Sequence, residues 1–194
     1  MDPFQIYLKL GFEHISDING YDHILFIVAL CAVYRLRQWR HLLILVTAFT
    51  VGHSLTLALA ALKILVLPSD IIEFLIPVTI LLTSVYNVYL GEPRAPGSGL
   101  HANYFLALFF GLIHGMGFSN YFRALLGKEE SIVAPLLAFN IGLELGQLVI
   151  VAITLGAASL ITLIFGAKQR DWTLFISGAT AGIAFILMLE TRFW

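Results

Sequence analysis

The run APLLAFNIGLELGQLVI, residues 134–150, carries one acidic residue, Glu144, near the centre of an otherwise mostly apolar segment. The apolar character extends over residues 131–165, which is enough to cross a bilayer, since about 20 apolar residues span the hydrocarbon. An ionisable side chain at that depth is costly unless it faces the protein interior with a partner. On a helix Asn140, Glu144 and Gln147 share one face. The run therefore predicts a transmembrane helix with a polar stripe, and Glu144 is a candidate functional residue.

The composition of the whole chain indicates an integral membrane protein. Of its 194 residues, 59% are hydrophobic and 12% are charged, whereas a soluble domain has about 25% charged residues. The formal net charge is -1, so the chain lacks the excess of positive charge that nucleic-acid-binding proteins carry. We therefore expect no nucleic-acid partner. No cleavable signal peptide is evident at the start of the chain, and we expect the first span to act as its own insertion signal.

The hydropathy pattern predicts an all-α, polytopic transmembrane helix bundle in a single transmembrane domain, residues 1–194. About six spans are predicted, at residues 22–38, 41–66, 70–91, 102–126, 131–165 and 172–191. Residues 3–17 place apolar residues at helical spacing among polar ones, which is typical of a helix lying at the membrane interface. Residues 91–99 are rich in glycine and proline and predict a flexible linker between the third and fourth spans.

The distribution of arginines predicts the orientation. Arg35, Arg37 and Arg40 lie between the first two predicted spans, which favours a cytoplasmic position for that loop. With six spans, both termini then lie outside. We therefore expect a multi-pass protein of a bacterial-type inner (cytoplasmic) membrane with both termini outside.

Polar residues cluster at the start of the first span and within the second, fourth and fifth. A site in the outer half of the membrane could collect them if the first span begins outside. The candidate metal ligands are His14, Asp22, His23, His53, His114 and Glu144. The candidates for groups that orient these ligands by hydrogen bonding are Asp17, Ser54, Thr56, Asn140 and Gln147.

These residue types point to a divalent metal ion. Imidazole and carboxylate together suit borderline cations such as nickel, zinc, iron or cobalt. Cys31 is the only cysteine and lies in an apolar run, so a thiolate cage is excluded. A bound dication would also offset the cost of keeping a carboxylate ionised inside the membrane. The glycines beside His114 predict that another helix approaches closely there.

A structural interpretation of the same residues remains open. A histidine inside the membrane often only joins two helices through hydrogen bonds worth about 1 kcal/mol, and His53 fits that description. Asp22 could serve as the N-cap of the first span. A structural or assembly subunit without metal would pair its polar side chains only with one another. Glu144 is the residue that this interpretation explains least well.

Five polar segments occur in a fixed order along the chain. They are His14, GYDHILF at 20–26, GHSLTL at 52–57, HGMGF at 114–118 and NIGLELGQ at 140–147. This set resembles the HupE/UreJ family, whose members are small membrane proteins often linked to nickel enzymes such as hydrogenase and urease and look like nickel permeases. The separation of His14 from the Asp22-His23 pair is longer here than is usual in the family. Either His14 or Asp17 is therefore expected at the first ligand position.

The resemblance implies a permease or metal-handling membrane protein for a divalent cation, with nickel first. The alternative is an intramembrane metal-dependent hydrolase in which the same residues bind zinc or a similar metal that activates water. A permease needs a site that is reachable alternately from both sides, whereas a hydrolase needs a fixed site that opens to one side. In both cases the expected partners are the lipid bilayer and the metal ion.

Overall fold

The computed structural model describes residues 2–65, 67–90, 100–127 and 131–194, and within them it contains helices and no strands. This confirms the all-α class. The predicted linker at 91–99 lies outside the described residues. A short 3-10 helix, Leu36–Gln38, precedes the third α-helix. The α-helices are α1 (Pro3–Ile15), α2 (Asp22–Cys31), α3 (Trp39–Ala61), α4 (Ser69–Leu90), α5 (Leu100–Leu126), α6 (Val133–Phe165) and α7 (Gln169–Glu190).

Five of these helices, α3 to α7, are long and apolar enough to cross a membrane. The chain is therefore a multi-pass membrane protein, and the predicted count of six spans is only approximate. The difference lies in the predicted first span, 22–38, where α2 has just 10 residues. A helix of that length rises about 15 Å, which is half of the hydrocarbon thickness of about 30 Å.

α2 ends at Cys31 because side chains of α7 bind the backbone carbonyls that follow it. The carbonyl of Ala32 accepts hydrogen bonds from Nε2 of Gln169 at 3.2 Å and from Oγ1 of Thr173 at 3.0 Å. Carbonyls at the end of a helix have no partner within the helix and need one from elsewhere. With these partners supplied by α7, the chain leaves the helical path and turns towards α3.

The predicted N-terminal helix is present as α1, and it packs along α6. A Cβ atom added at Gly11 would overlap the carbonyl of Phe139, and one added at Gly142 would overlap the carbonyl of Leu8. Small residues allow this direct contact between helix backbones. The glycines therefore fix α1 against a membrane-spanning helix.

Helices α1 and α2 together run alongside the length of α5. Four ring pairs mark the alignment: Tyr7–Phe122 at 6.2 Å between centroids, His14–Phe118 at 3.9 Å, His23–His114 at 5.0 Å and Phe26–Phe110 at 6.0 Å. The numbers rise along α1 and α2 while they fall along α5, so the two short helices are antiparallel to α5. The pair thus occupies the place of one spanning helix that is interrupted at residues 16–21. His14 and His23 lie on the two sides of that interruption.

Helices α3 and α5 are parallel and in backbone contact. A Cβ atom at Gly111 would overlap the carbonyl of Phe49, and one at Gly115 would lie 2.5 Å from the carbonyl oxygen of His53. The close approach predicted from the glycines beside His114 is therefore present. Because the two helices are parallel, the arginine-rich segment 35–40 lies at the same end of the bundle as the start of α5. We call this the arginine end.

Both termini lie at the opposite end, which we call the terminal end. The hydroxyl of Tyr7 donates to the carbonyl of Leu125, near the end of α5, at 3.4 Å. The ring of Trp194 packs 5.1 Å from that of Phe74, near the start of α4, and α4 is antiparallel to α5.

Candidate metal centre

Four histidines and one aspartate converge at the interruption between α1 and α2. Ligand atoms of His14, His23 and His53 lie within 4.8 Å of one another, and so do those of Asp22, His23 and His114. His23 belongs to both groups, which makes them one cluster. The cluster joins α1, α2, α3 and α5, so no single helix supplies more than a part of it.

The imidazole nitrogens of this cluster are buried and mostly lack hydrogen-bond partners within the part of the chain that the structure describes. His53 and His114 are 0% exposed, and His23 is 4% exposed. A buried polar atom left without a partner costs about 1–3 kcal/mol. A nitrogen lone pair can instead coordinate a cation. The nitrogens without a partner are Nε2 of His14, Nε2 of His23, Nδ1 and Nε2 of His53, and Nδ1 of His114.

Thr79 of α4 fixes the protonation of His114. The single hydroxyl proton of Thr79 is donated to the carbonyl of Ile76 at 2.7 Å. The same Oγ1 lies 3.0 Å from Nε2 of His114. With the hydroxyl proton on the shorter contact to Ile76, Oγ1 accepts a hydrogen bond from an Nε2–H group. Nδ1 of His114 then carries the lone pair, and it is the buried nitrogen that has no partner in the described chain.

Asp22 has the same effect on His23. Oδ1 of Asp22 lies 3.1 Å from Nδ1 of His23 and also accepts the backbone N–H of His23 at 2.9 Å. A carboxylate oxygen only accepts, so Nδ1 of His23 carries the proton and Nε2 carries the lone pair. In both histidines one ring nitrogen is held by a hydrogen bond and the other ring nitrogen is free to bind a metal. This is the usual arrangement of metal-binding histidines.

Phenylalanine rings enclose the centre. Phe118 lies 3.9 Å from His14, and Phe139 stacks on His53 at 6.1 Å with 18° between the planes. On the other side, Phe49 lies 5.1 Å from His114. Such rings exclude water and lower the local dielectric constant, which strengthens interactions between a cation and the aspartate.

Three of the predicted orienting residues are held by backbone groups. Oγ of Ser54 donates to the carbonyl of Thr50 at 2.6 Å, and Oγ1 of Thr56 donates to that of His53 at 3.0 Å. Asp17 is exposed, and its Oδ1 accepts a backbone N–H two residues further along at 2.9 Å. These contacts stabilise the helices and the turn that carry the ligands.

Glu144 lies outside both ligand groups. Its carboxylate accepts a hydrogen bond from the hydroxyl of Thr47 on α3, and one turn further along α6 Gln147 accepts one from Thr50 at 2.9 Å. Thr47, Thr50 and His53 follow one another at helical spacing on α3. The polar stripe of α6 therefore faces α3 and extends from the histidines towards the arginine end. We call Thr47, Thr50, Glu144 and Gln147 the polar track.

Two amides on the same stripe retain a buried polar atom that has no hydrogen-bond partner in the described residues. These atoms are Oδ1 of Asn140 and Nε2 of Gln147. Gln147 is 0% exposed. The stripe therefore has unused hydrogen-bonding capacity next to the centre.

Thr79 and the enclosing rings were not predicted from the sequence. A signal for Thr79 exists, since Thr79, Thr83 and Asn87 recur at every fourth position in the third predicted span and so share one helix face. All three are buried in the structure. Phe118 and Phe139 each lie in or beside a motif that carries a candidate ligand or orienting residue, but ring contacts between helices cannot be read from spacing.

The family whose sequence model matches this chain is described as HupE / UreJ protein, and the match covers residues 1–193. All seven helices and every residue of the centre fall within it. Comparison with curated proteins finds no match, and comparison with solved structures finds none.

Proposed function

The chain belongs to the HupE/UreJ family, and on that premise we propose that it is a membrane permease for a divalent cation, nickel first. The family is associated with nickel or cobalt transport or with accessory functions. The proposed binding site for the transported ion consists of His14, Asp22, His23, His53 and His114.

One observation carries the proposal: buried imidazole nitrogens without hydrogen-bond partners, in the described chain, converge from four helices. A purely structural cluster would pair its polar atoms with one another. Among the described residues, only His23 and His114 of the cluster have one ring nitrogen bound to a neighbouring side chain, and in each the other nitrogen has no partner there. A dication that accepts several lone pairs explains this pattern.

The donor set favours nickel, cobalt or another borderline cation over copper(I). Every donor in the cluster is a nitrogen or a carboxylate oxygen. Cys31, the only thiol of the chain, is buried at the far end of α2 from His23. With neutral imidazoles and one aspartate, the bound ion keeps a net positive charge, which suits a site that must also release it.

The polar track supports a permease over a hydrolase. A hydrolase needs water and substrate on one side of its metal only, whereas a permease needs polar groups on both sides of its site. From His53 the track continues towards the arginine end along Thr50 and Thr47 on α3. On α6 it continues in the same direction along Glu144 and Gln147. In this proposal Glu144 belongs to the route of the ion between the centre and the arginine end, and the arginine end faces the cytoplasm, as the positive-inside rule predicts.

Binding and transport measurements test the proposal separately. The full chain, purified in detergent, should bind a single Co²⁺ or Ni²⁺ ion, and the X-ray absorption spectrum should show nitrogen and oxygen donors. Reconstituted in liposomes that contain a metal-sensitive dye, it should carry the ion across the membrane. His53→Gln and His114→Gln should each weaken binding of the metal ion by at least about tenfold, because each variant loses one proposed ligand.

His41→Gln is the matched control, because His41 lies on the same helix as His53 but outside the cluster. It should bind and transport as the wild type does. Absence of binding by the wild-type chain would overturn the proposed site. Stable binding of one ion without any transport, together with hydrolytic activity, would favour the hydrolase.

A further inference from the structure

A second feature of the structure lies between the centre and the terminal end. A cavity of about 660 Å³ opens beside the interruption between α1 and α2. Its lining includes Glu13, His14, Ser16, Asp17, Phe118 and Tyr121. Glu13, Asp17 and Tyr121 are exposed, so the mouth of the cavity is accessible from outside the bundle.

His14 connects this cavity to the centre. It lines the cavity, and its ring lies 4.6 Å from that of His23 and 5.7 Å from that of His53. Its Nε2 atom is buried and finds no hydrogen-bond partner in the described residues. His14 is thus the ligand that an ion in the cavity meets before it reaches the others.

The charge at the mouth favours cations. Glu13 has Lys9 as an ion-pair partner at 3.5 Å, but both side chains are mostly exposed, and such pairs are weak. Asp17 holds its carboxylate at the rim by accepting a backbone N–H. Carboxylates at the mouth of a cleft with low-dielectric walls raise the local concentration of cations and the rate at which they arrive.

The cavity has room for an ion with its water. Six water molecules occupy roughly 180 Å³ in the liquid, at about 30 Å³ each, which is well below the volume of the cavity. A smaller crevice of about 200 Å³, lined by Asp22, Glu73 and Pro77 among others, lies on the other side of the same turn. It leaves little space beyond the hydrated ion itself, so the larger cavity is the better route.

We propose that the cavity beside His14 is the entrance through which a hydrated divalent cation reaches the histidine centre from the terminal end. Glu13 and Asp17 attract the ion without ligating it in the centre, and His14 is the first side chain to replace its water. This inference rests on the proposed function and adds the route and its residues.

The first test measures how fast Co²⁺ enters the centre. Stopped-flow absorption in the visible range follows Co²⁺ binding to the full chain in nanodiscs at low and high salt. In the double variant Glu13→Gln/Asp17→Asn, the association rate at low salt should fall by about tenfold, in line with electrostatic steering, and its salt dependence should largely disappear. The spectrum of the bound ion should not change, because the ligands are intact.

Two single variants serve as comparisons. Asp70→Asn removes one carboxylate in the first turn of α4, at the same end of the bundle but outside both cavities, and should leave the rate unchanged. Glu73→Gln alters the smaller crevice and should also leave it unchanged. A slower rate in Glu73→Gln, with a normal rate in the double variant, would overturn the proposal.

The second test blocks the cavity directly. In a Cys31→Ala background, Ser16→Cys places the only thiol in the cavity wall, and Ser69→Cys places it at the same end outside the cavity. Modification with a bulky, membrane-impermeant thiol reagent should slow Co²⁺ association at least about tenfold for Ser16→Cys and have no effect for Ser69→Cys. Equal rates before and after modification of Ser16→Cys would reject the entrance.

Failure of this inference differs from failure of the proposed function. The chain could bind Co²⁺ at equilibrium while its association rate changes neither in the charge variant nor after modification of Ser16→Cys. In that case only the proposed entrance is wrong. If the unmodified chain binds no Co²⁺ at all, the centre itself is wrong, and the entrance falls with it.

Discussion

The hydroxyl of Thr79 on α4 lies 3.0 Å from Nε2 of His114 on α5, and it accepts a hydrogen bond because its own proton goes to the carbonyl of Ile76. A helix without any ligand of its own thus decides which nitrogen of His114 is free. Thr79→Val keeps the shape of the side chain and removes the acceptor. We expect the affinity for Co²⁺ to fall by about 10–100-fold, as measured for partners of metal-binding histidines elsewhere.

Thr83→Val is the control for this prediction. Thr83 is also buried on α4, but its hydroxyl donates to the carbonyl of Thr79 in its own helix. Titration calorimetry should therefore give a wild-type affinity. Equal affinities in the two variants would mean that Thr79 does not orient His114.

Replacing Glu144 by Gln tests the polar track. The amide keeps the shape of the side chain and can still accept the hydrogen bond of Thr47, so folding should be preserved. Because Glu144 lies outside both ligand groups, equilibrium binding of Co²⁺ should change less than about twofold. Uptake into liposomes should fall sharply, since the charge on the route is lost.

Two outcomes would contradict this expectation in different ways. Loss of Co²⁺ binding in Glu144→Gln would make Glu144 a ligand, which the geometry of the cluster does not include. Full uptake with Gln at position 144 would remove Glu144 from the mechanism.

The close contact between α3 and α5 should be sensitive to a single methyl group. A Cβ atom at Gly115 would overlap Oγ1 of Thr56 and lie 2.5 Å from the carbonyl oxygen of His53. Gly115→Ala must separate the two helices, at a cost of about 1–3 kcal/mol, and it should move His53 away from the other ligands. Thermal unfolding in detergent and the amount of bound Co²⁺ should both show the loss.

Gly178→Ala provides the contrast within the same chain. Gly178 lies in α7 with no described atom within 4 Å of an added Cβ. Alanine is the better helix former by about 0.5–1 kcal/mol, so stability should be unchanged or higher. A Gly115→Ala variant as stable as Gly178→Ala would show that the contact is not tight.

Cys31 should be dispensable for the metal. It is 1% exposed and lies at the end of α2 remote from the ligands. Cys31→Ala should keep the full metal content, and X-ray absorption should detect no sulfur near the ion. Loss of the metal in this variant, with the fold intact by circular dichroism, would contradict coordination by nitrogen and oxygen alone.

The sequence was sufficient to predict the helical membrane fold, because hydropathy depends on local residue types. It also singled out the four histidines and the aspartate that the structure brings together, but it added Glu144, which lies outside that cluster. It was insufficient for the first predicted span. The apolar run from Ile24 to Val33 suggests a continuous helix, but the side chains that end α2, Gln169 and Thr173, come from the far end of the chain. Such a tertiary contact leaves no mark in the pattern of α2 itself.

The position of Glu144 shows the same limit. Spacing correctly places Asn140, Glu144 and Gln147 on one helix face, but it cannot tell towards which neighbour that face turns. In the structure this face turns towards Thr47 and Thr50 of α3, beside the centre. It does so because another face of α6, which carries Gly142 and Gly146, packs against α1.

The attachment of α1 to α6 has a consequence for biogenesis. The ribosome synthesises α1 long before α6, although α1 packs against the glycines of α6. Helix α2 alone is too short to span a bilayer. We therefore expect His14 and His23 to reach their final depth only after α6 has been inserted. A nascent chain arrested before Val133 should leave its N-terminal segment open to protease, whereas one arrested beyond Phe165 should protect it.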